Sequence, residues 1–256
     1  MSRRLEGQVA IVTGAGQGIG QGVALALAKD GAAVAIVGRT ESKIVDTCEL
    51  IQQAGGRAIP VLCDVTDVAQ IDACVATVVE SLGGLDILIN NAQVSPHGPI
   101  AETTDATMYE ALESGPIAAF RFMRTGYPHL LKRPGVVINM GSGAQMINEG
   151  MNYRFGPYLI AKYAMLALTR QAAVEWGANG IRTFLVTPSA WTPMSREGHA
   201  RHHPEVFDRL IQTTPLGRMG DAETDLGPPI CWLCTKEAGY MTGTTIQLDG
   251  GQMFMH

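Results

Sequence analysis

Tyr158 and Lys162 stand four apart in Pro157-Tyr158-Leu159-Ile160-Ala161-Lys162. On a helix that interval is about one turn, so both side chains leave the same face and the ammonium is placed to stabilise a phenolate. A phenol beside a fixed cation is an acid/base that passes a proton to or from a substrate oxygen. Far upstream lies Thr13-Gly14-Ala15-Gly16-Gln17-Gly18-Ile19-Gly20, between the apolar run Val9-Ala10-Ile11-Val12 and the helical stretch Val23-Ala24-Leu25-Ala26-Leu27-Ala28. A strand, a tight turn and a helix N-terminus converge there on a pyrophosphate. Each half is weak alone, because Tyr-x-x-x-Lys also arises by chance on many helices. Together, in this order, they indicate redox chemistry on a nicotinamide. Tyr153 and Tyr163 compete poorly for the acid/base role, since Pro157 and Ala167 stand where a lysine would be needed.

The elements that must position these groups recur along the chain as apolar runs at Val9 to Val12, Ala33 to Val37, Ala58 to Leu62, Ile87 to Ile89, Val136 to Ile138, Thr183 to Val186 and Thr245 to Leu248. Amphipathic stretches separate most of them. Near-continuous hydrophobic strands alternating with helices predict a parallel sheet covered on both faces, an α/β doubly wound architecture with right-handed crossovers. The 256 residues suffice for one domain spanning 1–256. The stretch 193–214, rich in His, Arg and Pro, follows a strand's C-terminal end, where a substrate lid would sit.

Bulk properties exclude several classes. A net charge of -5 with 17% charged residues leaves no basic stripe of the kind that tracks nucleic acid. No apolar run approaches the roughly 20 residues of a membrane helix, and Ser2-Arg3-Arg4-Leu5-Glu6 leads straight towards a strand, so a cytoplasmic protein is expected. The five cysteines are Cys48, Cys63, Cys74, Cys231 and Cys234, an odd count that favours reduced thiols. Cys231-Trp232-Leu233-Cys234 has redox or zinc spacing, but its apolar surroundings favour packing. His199, His202 and His203 read as part of a polar lid, and no metal is expected.

The chain resembles the short-chain dehydrogenase/reductase family from Gly7 to Gly251. The likeness rests on the glycine segment Thr13 to Gly20, Cys63-Asp64-Val65, Asn90-Asn91-Ala92, Ser142 with Tyr158 and Lys162, Pro188 to Met194, and the closing Thr242 to Gly251. It implies a seven-stranded Rossmann fold and an NAD(P)-dependent oxidoreductase. By the same likeness Gly14, Gly18 and Gly20 let the backbone approach the diphosphate, with Gln17 in the turn and Ile19 covering it. Asp64 and Val65 meet the adenine, and Asn91 lies near the ribose. Ser142 bonds the substrate oxygen, Tyr158 transfers its proton, and Lys162 lowers the tyrosine pKa and holds the nicotinamide ribose. Association into a homotetramer or homodimer is also implied.

Three positions depart from the family pattern. Gly115 stands where relatives usually carry an Asn that kinks the helix and helps hold a relay water; Pro116 next to it should still break the helix and free the Leu112 carbonyl. Gln93 and Ser189 replace glycines beside the cleft. Trp191 and Thr192, in a segment one residue shorter than the commonest form, are the residues expected at the carboxamide. These departures keep an alternative open, a catalytically impaired dinucleotide-binding regulatory or scaffold protein.

Ala35-Ile36-Val37-Gly38-Arg39-Thr40 ends without the acid that usually bonds the adenosine ribose. Arg39 can pair with a phosphate through its planar fork and Thr40 can add a hydroxyl, which favours NADP(H) and leaves NAD(H) possible. The inferred pocket wall includes Gln93, Val94, Ala144, Met146, Met151, Tyr153, Phe155, Trp191 and Met194, with Gln93, Ser142, Ala144, Met151, Tyr158 and Trp191 as the substrate set. A hydrophobic ketone or secondary alcohol is the expected substrate.

Overall fold

In the computed structural model, which describes residues 3–146, 155–193, 195 and 204–253, each apolar run is a strand. They are β1 (Val9–Thr13), β2 (Ala33–Gly38), β3 (Arg57–Leu62), β4 (Ile87–Asn90), β5 (Val136–Met140), β6 (Arg182–Pro188) and β7 (Thr245–Leu248). All pair in parallel, in the order β3-β2-β1-β4-β5-β6-β7. The helices are α1 (Gly18–Lys29), α2 (Glu41–Gln53), α3 (Val68–Leu82), α4 (Asp105–Leu112), α5 (Ala118–Leu130), α6 (Gly156–Trp176), α7 (Pro204–Thr213) and α8 (Gly227–Leu233). Among the described residues no helix is long and apolar enough to cross a membrane.

The strands are apolar on both sides because both faces are covered. Ala10, Val12, Val34 and Ile36 pack with Val23, Leu27 and Ile230 of α1 and α8. Val9, Ile11, Ala35 and Val37 pack on the opposite layer with Val75, Val78, Phe122 and Ala172 of α3, α5 and α6. Alternate residues of one strand therefore feed two separate cores, the pattern of a doubly wound sheet. Cys231 and Cys234 belong to the first layer, 2% and 4% exposed, and all five cysteines are free and buried. Burial pushes the Cys231 thiol up to about 12, which leaves it an inert packing group.

Strand order reverses at β1, so a crevice opens at the carboxyl ends of β1 and β4. The Thr13 hydroxyl closes its floor, accepting from the backbone N–H of Asn91 and of Ala92, each at 3.0 Å. A buried polar chain secures the other side: Asn90 Nδ2 donates to Asn139 Oδ1 at 2.8 Å, and Asn139 Nδ2 donates to Thr169 Oγ1 at 2.9 Å. It joins β4, β5 and α6, the helix that carries Tyr158 and Lys162.

The break foreseen at Pro116 takes a specific form. Between α4 and α5 the chain makes a π turn over Glu113–Ile117, with the Ala118 amide donating to the Glu113 carbonyl five residues back. The missing proline N–H thus widens the helix instead of ending it. Of the stretch 193–214, α7 accounts for Pro204–Thr213. Residues 194 and 196–203, with His199, His202 and His203, lie outside the described residues.

Candidate active site

The crevice is a cleft of about 430 Å³. Gly14, Gln17, Gly18, Ile19, Arg39, Thr40, Asp64, Val65, Asn91, Gln93, Ser142, Tyr158, Lys162 and Thr192 all line it, so residues up to 178 positions apart in the chain meet around one space. Gly20 sits just behind: a Cβ there would lie 2.4 Å from the Gly14 carbonyl oxygen and 2.5 Å from Asn91 Nδ2. Its glycine serves the packing of turn against loop. Trp191 is not among the lining residues, and its backbone N–H donates to the Gly220 carbonyl at 2.9 Å. Ala144 belongs to the short turn Gly143–Met146 after Ser142, and Met151 and Tyr153 lie outside the described residues.

One end of the cleft suits a diphosphate. Gly14 and Gly18 have φ of +65° and +60°, a conformation that favours glycine. The N-cap of α1 is Gln17, whose side chain makes no capping bond, so the first-turn amides remain available to an anion at the positive end of the helix. Asn91 Nδ2 donates to the carbonyls of Thr13 and Gly14 at 2.9 and 3.2 Å and holds the turn open.

At the far end β2 stops at Gly38 and two cations follow. Arg39 Nη1 lies 3.9 Å from Asp64 Oδ2. Lys43, on the first turn of α2, reaches across to Gln17 Oε1 at 2.5 Å and lines the cleft as well. It brings to the glycine turn the positive charge that Gln17 itself lacks. Nothing in the sequence marks it, because a lysine in a helix's first turn is ordinarily a solvated group. Asp64 accepts from the Thr66 backbone N–H and hydroxyl at 2.9 and 2.7 Å, bonds that hold its carboxyl below the usual range.

The chemistry-bearing end lies where β5 meets α6. Lys162 is 4% exposed, and its Nζ donates to the Met140 carbonyl at 2.6 Å and stands 5.4 Å from the centre of the Tyr158 ring. Ser142 and Tyr158 are hydrogen-bonded through their side chains. Phe155, which is not among the lining residues, flanks Tyr158 at 6.0 Å between ring centres and packs edge-on against His97 at 4.5 Å.

The expectation that Lys162 lowers the tyrosine pKa is not met in this state of the chain. Burial pushes the Tyr158 hydroxyl up, and the counteracting influence is the hydrogen bond to Ser142. Burial also pushes Lys162 down to about 7. The Lys162 side chain donates to a carbonyl and stands over the ring, and desolvation is the largest influence on the phenol. Gln145, which no sequence motif singles out, ties this corner together: it accepts from the Ser142 backbone N–H at 3.0 Å, donates to the Lys162 carbonyl at 2.8 Å, and its own carbonyl accepts from Tyr163 Oη.

Comparison with known proteins identifies the family and the fold. A family model described as Enoyl-(Acyl carrier protein) reductase matches residues 14–253. A 12alpha-hydroxysteroid dehydrogenase of a Clostridium species is 36% identical over 254 residues, covering 96% of each chain. The chain belongs to the short-chain dehydrogenase/reductase family. A second member, 3beta-hydroxysteroid dehydrogenase 1 of Eggerthella lenta, is 31% identical over 96% of this chain and 94% of its own. Among solved structures, a 7 alpha-hydroxysteroid dehydrogenase complexed with NADH and 7-oxo glycochenodeoxycholic acid superposes with a TM-score of 0.90 at 29% identity, covering 98% of this chain and 96% of that one. As a short-chain dehydrogenase/reductase, this protein is an NAD(P)-dependent oxidoreductase acting on CH–OH or C=O groups.

Proposed function

We propose that the protein is an NADP(H)-dependent carbonyl reductase or secondary alcohol dehydrogenase for a hydrophobic ketone or alcohol, working as one catalytic domain with the 193–214 stretch as its lid. The observation that carries this reading is the meeting of Ser142, Tyr158 and Lys162 with the glycine turn in one cleft. Ser142 holds the substrate oxygen. Tyr158 gives its proton to that oxygen in reduction and takes it back in oxidation. Lys162, fixed by Met140, keeps positive charge beside the phenolate as it forms. When bound, the nicotinamide supplies or accepts the hydride. The uncapped α1 terminus would hold its diphosphate, Asp64 and Val65 would border the adenine, and Asn91 and Lys162 the riboses, with Thr192 at the carboxamide.

Phosphate selectivity rests on charge at the adenosine end. Gly38 offers no carboxylate to repel a 2'-phosphate, while Arg39 and Lys43 place two cations there. Arg39→Ala should therefore raise KM for NADPH by about tenfold to a hundredfold and leave KM for NADH within about twofold. Equal changes for both cofactors would remove the case for NADP(H).

For the substrate, Val94 and Tyr158 line the cleft with Phe155 packed beside the tyrosine ring, and the hydroxysteroid names of the relatives make bulky alicyclic ketones the first to assay. The test is nicotinamide absorbance against a panel of such ketones and alcohols with each cofactor; a chain that binds the dinucleotide yet turns over none would return the reading to the scaffold alternative. The same reading includes a homotetramer or homodimer, supported by exposed Ile160, Tyr163 and Val174 on α6 and Phe120 on α5, and a cytoplasmic location.

A further inference from the structure

Resting on that reading of the cleft, the Ser142 hydroxyl has a support that lies outside it. Ser142 stands between β5 and the short turn Gly143–Met146, and it must be held in register with both the substrate oxygen and Tyr158 to serve them. Gln145 braces it from one side, accepting from its backbone N–H at 3.0 Å. The other side is closed from the far end of the chain. A Cβ on Gly143 would fall 2.6 Å from Met253 Cε and 2.8 Å from Met253 Sδ, so the thioether lies directly against the residue that follows Ser142. Gly143 is not among the residues with positive φ. Glycine there answers to the space that Met253 fills and not to backbone conformation.

Met253 is itself firmly seated. After β7 the chain reaches Asp249, 6% exposed, whose carboxylate accepts from the backbone N–H of Gly251 at 2.9 Å and of Met253 at 3.0 Å. Gly250 and Gly251 turn with φ of +69° and +83°, and Cβ atoms on them would fall 2.9 Å from Thr214 Cγ2 and 3.0 Å from Pro215 Cγ. The turn therefore lies against the chain leaving α7. Two bonds tie it there: the Leu216 backbone N–H donates to the Gly250 carbonyl at 3.1 Å, and Gln252 Nε2 donates to Thr214 Oγ1 at 3.3 Å. From this anchored strap the Met253 side chain enters the protein and is 9% exposed. An unbranched thioether suits an irregular gap of this kind.

Met253 is not among the residues lining the cleft. Any influence it has on the reaction must pass through the turn it packs on, and the first functional group along that turn is the Ser142 hydroxyl, which does line the cleft and bonds Tyr158.

We propose that Met253 is a positioning residue, whose thioether, held in place by the Asp249 turn, fills the space beside Gly143 and so fixes the Ser142 hydroxyl against the substrate oxygen and Tyr158.

The test compares Met253→Ala, Met253→Leu and the pair M253A/G143A. Alanine at 253 empties the space beside the serine turn, so kcat for ketone reduction should fall by about tenfold while dinucleotide Kd stays within about twofold. Leucine refills most of that volume and should hold kcat within about threefold of wild type. In the pair, a methyl on residue 143 returns to the volume that Sδ and Cε left, and most of the lost kcat should be regained. A general loosening of the fold would give the opposite, since a second substitution would loosen it further. Wild-type kcat in Met253→Ala would overturn the proposal, as would a pair no better than Met253→Ala, or a loss carried by dinucleotide affinity alone. Independently of turnover, crystal structures should show the Ser142–Tyr158 hydrogen bond kept in wild type and lost in Met253→Ala, and an unmoved Ser142 would also overturn the proposal. A wild type inactive across the whole panel would instead count against the reading of the cleft as a ketone reductase, and the two crystal structures would then decide the role of Met253.

Discussion

Replacing Tyr158 with phenylalanine should lower kcat by about a thousandfold and leave dinucleotide affinity within about twofold. The ring would stay, still flanked by Phe155 and beneath Lys162 Nζ, so the walls of the cleft change little. What goes is the hydroxyl that bonds Ser142 and that, on the proposed mechanism, carries the transferable proton. The loss should fall on kcat and kcat/KM together, since the proton moves in the transition state and contributes little to binding the ketone. Stopped-flow hydride transfer beside a fluorescence titration of the dinucleotide separates the two quantities. Turnover at the wild-type level would remove Tyr158 from the mechanism.

Lys162→Met should abolish turnover almost as completely and reshape the pH dependence of stability. In the folded chain burial brings Lys162 down to about 7, whereas in the unfolded chain it titrates near its ordinary value of about 10.4. Between those values the unfolded chain binds a proton that the folded chain has released, so this group makes stability rise with pH. The penalty is fully present below about pH 7 and gone above about pH 10. From pH 7 to pH 9 it amounts to about 2 kcal/mol. Methionine keeps the length and volume and has nothing to ionise, so that share of the rise should vanish from the variant. Urea unfolding of the dinucleotide-free protein at both pH values measures it, and the comparison of slopes is untouched by loss of the Met140 hydrogen bond, which is common to both. Equal slopes in variant and wild type would mean that Lys162 keeps its charge when the chain folds.

The sheet was legible in the sequence because its central strands are buried on both faces, so each of those reads as an unbroken apolar run; β1, β4 and β5 are buried at every position. The cleft's glycines, Tyr158 and Lys162 could be singled out by motif and spacing, and Ser142 by the family resemblance; the structure brings them to one cleft. Other features depend on distance rather than type. Gln145 bridges Ser142 to α6 only because a turn brings it back on the strand end, and Lys43 acts on the glycine turn only because α2 docks beside it. Gly115-Pro116 announced a break in the helix, but its resolution into a π turn, and the fit of Gln93 over Gly115, follow from packing. The direction of the Tyr158 shift was missed for a similar reason: the spacing of a phenol and an amine says nothing of how much water either has lost.

The chain of amides and hydroxyl through Asn90, Asn139 and Thr169 bears on how this scaffold can be altered. Its members are buried and bonded one to the next, so exchanging any one for an apolar residue strands its neighbours. An engineer wishing to reshape that region must rewrite the three positions as a block. Retargeting towards new ketones is better sought in the loops above the strand ends, whose side chains answer to the guest molecule and not to the interior.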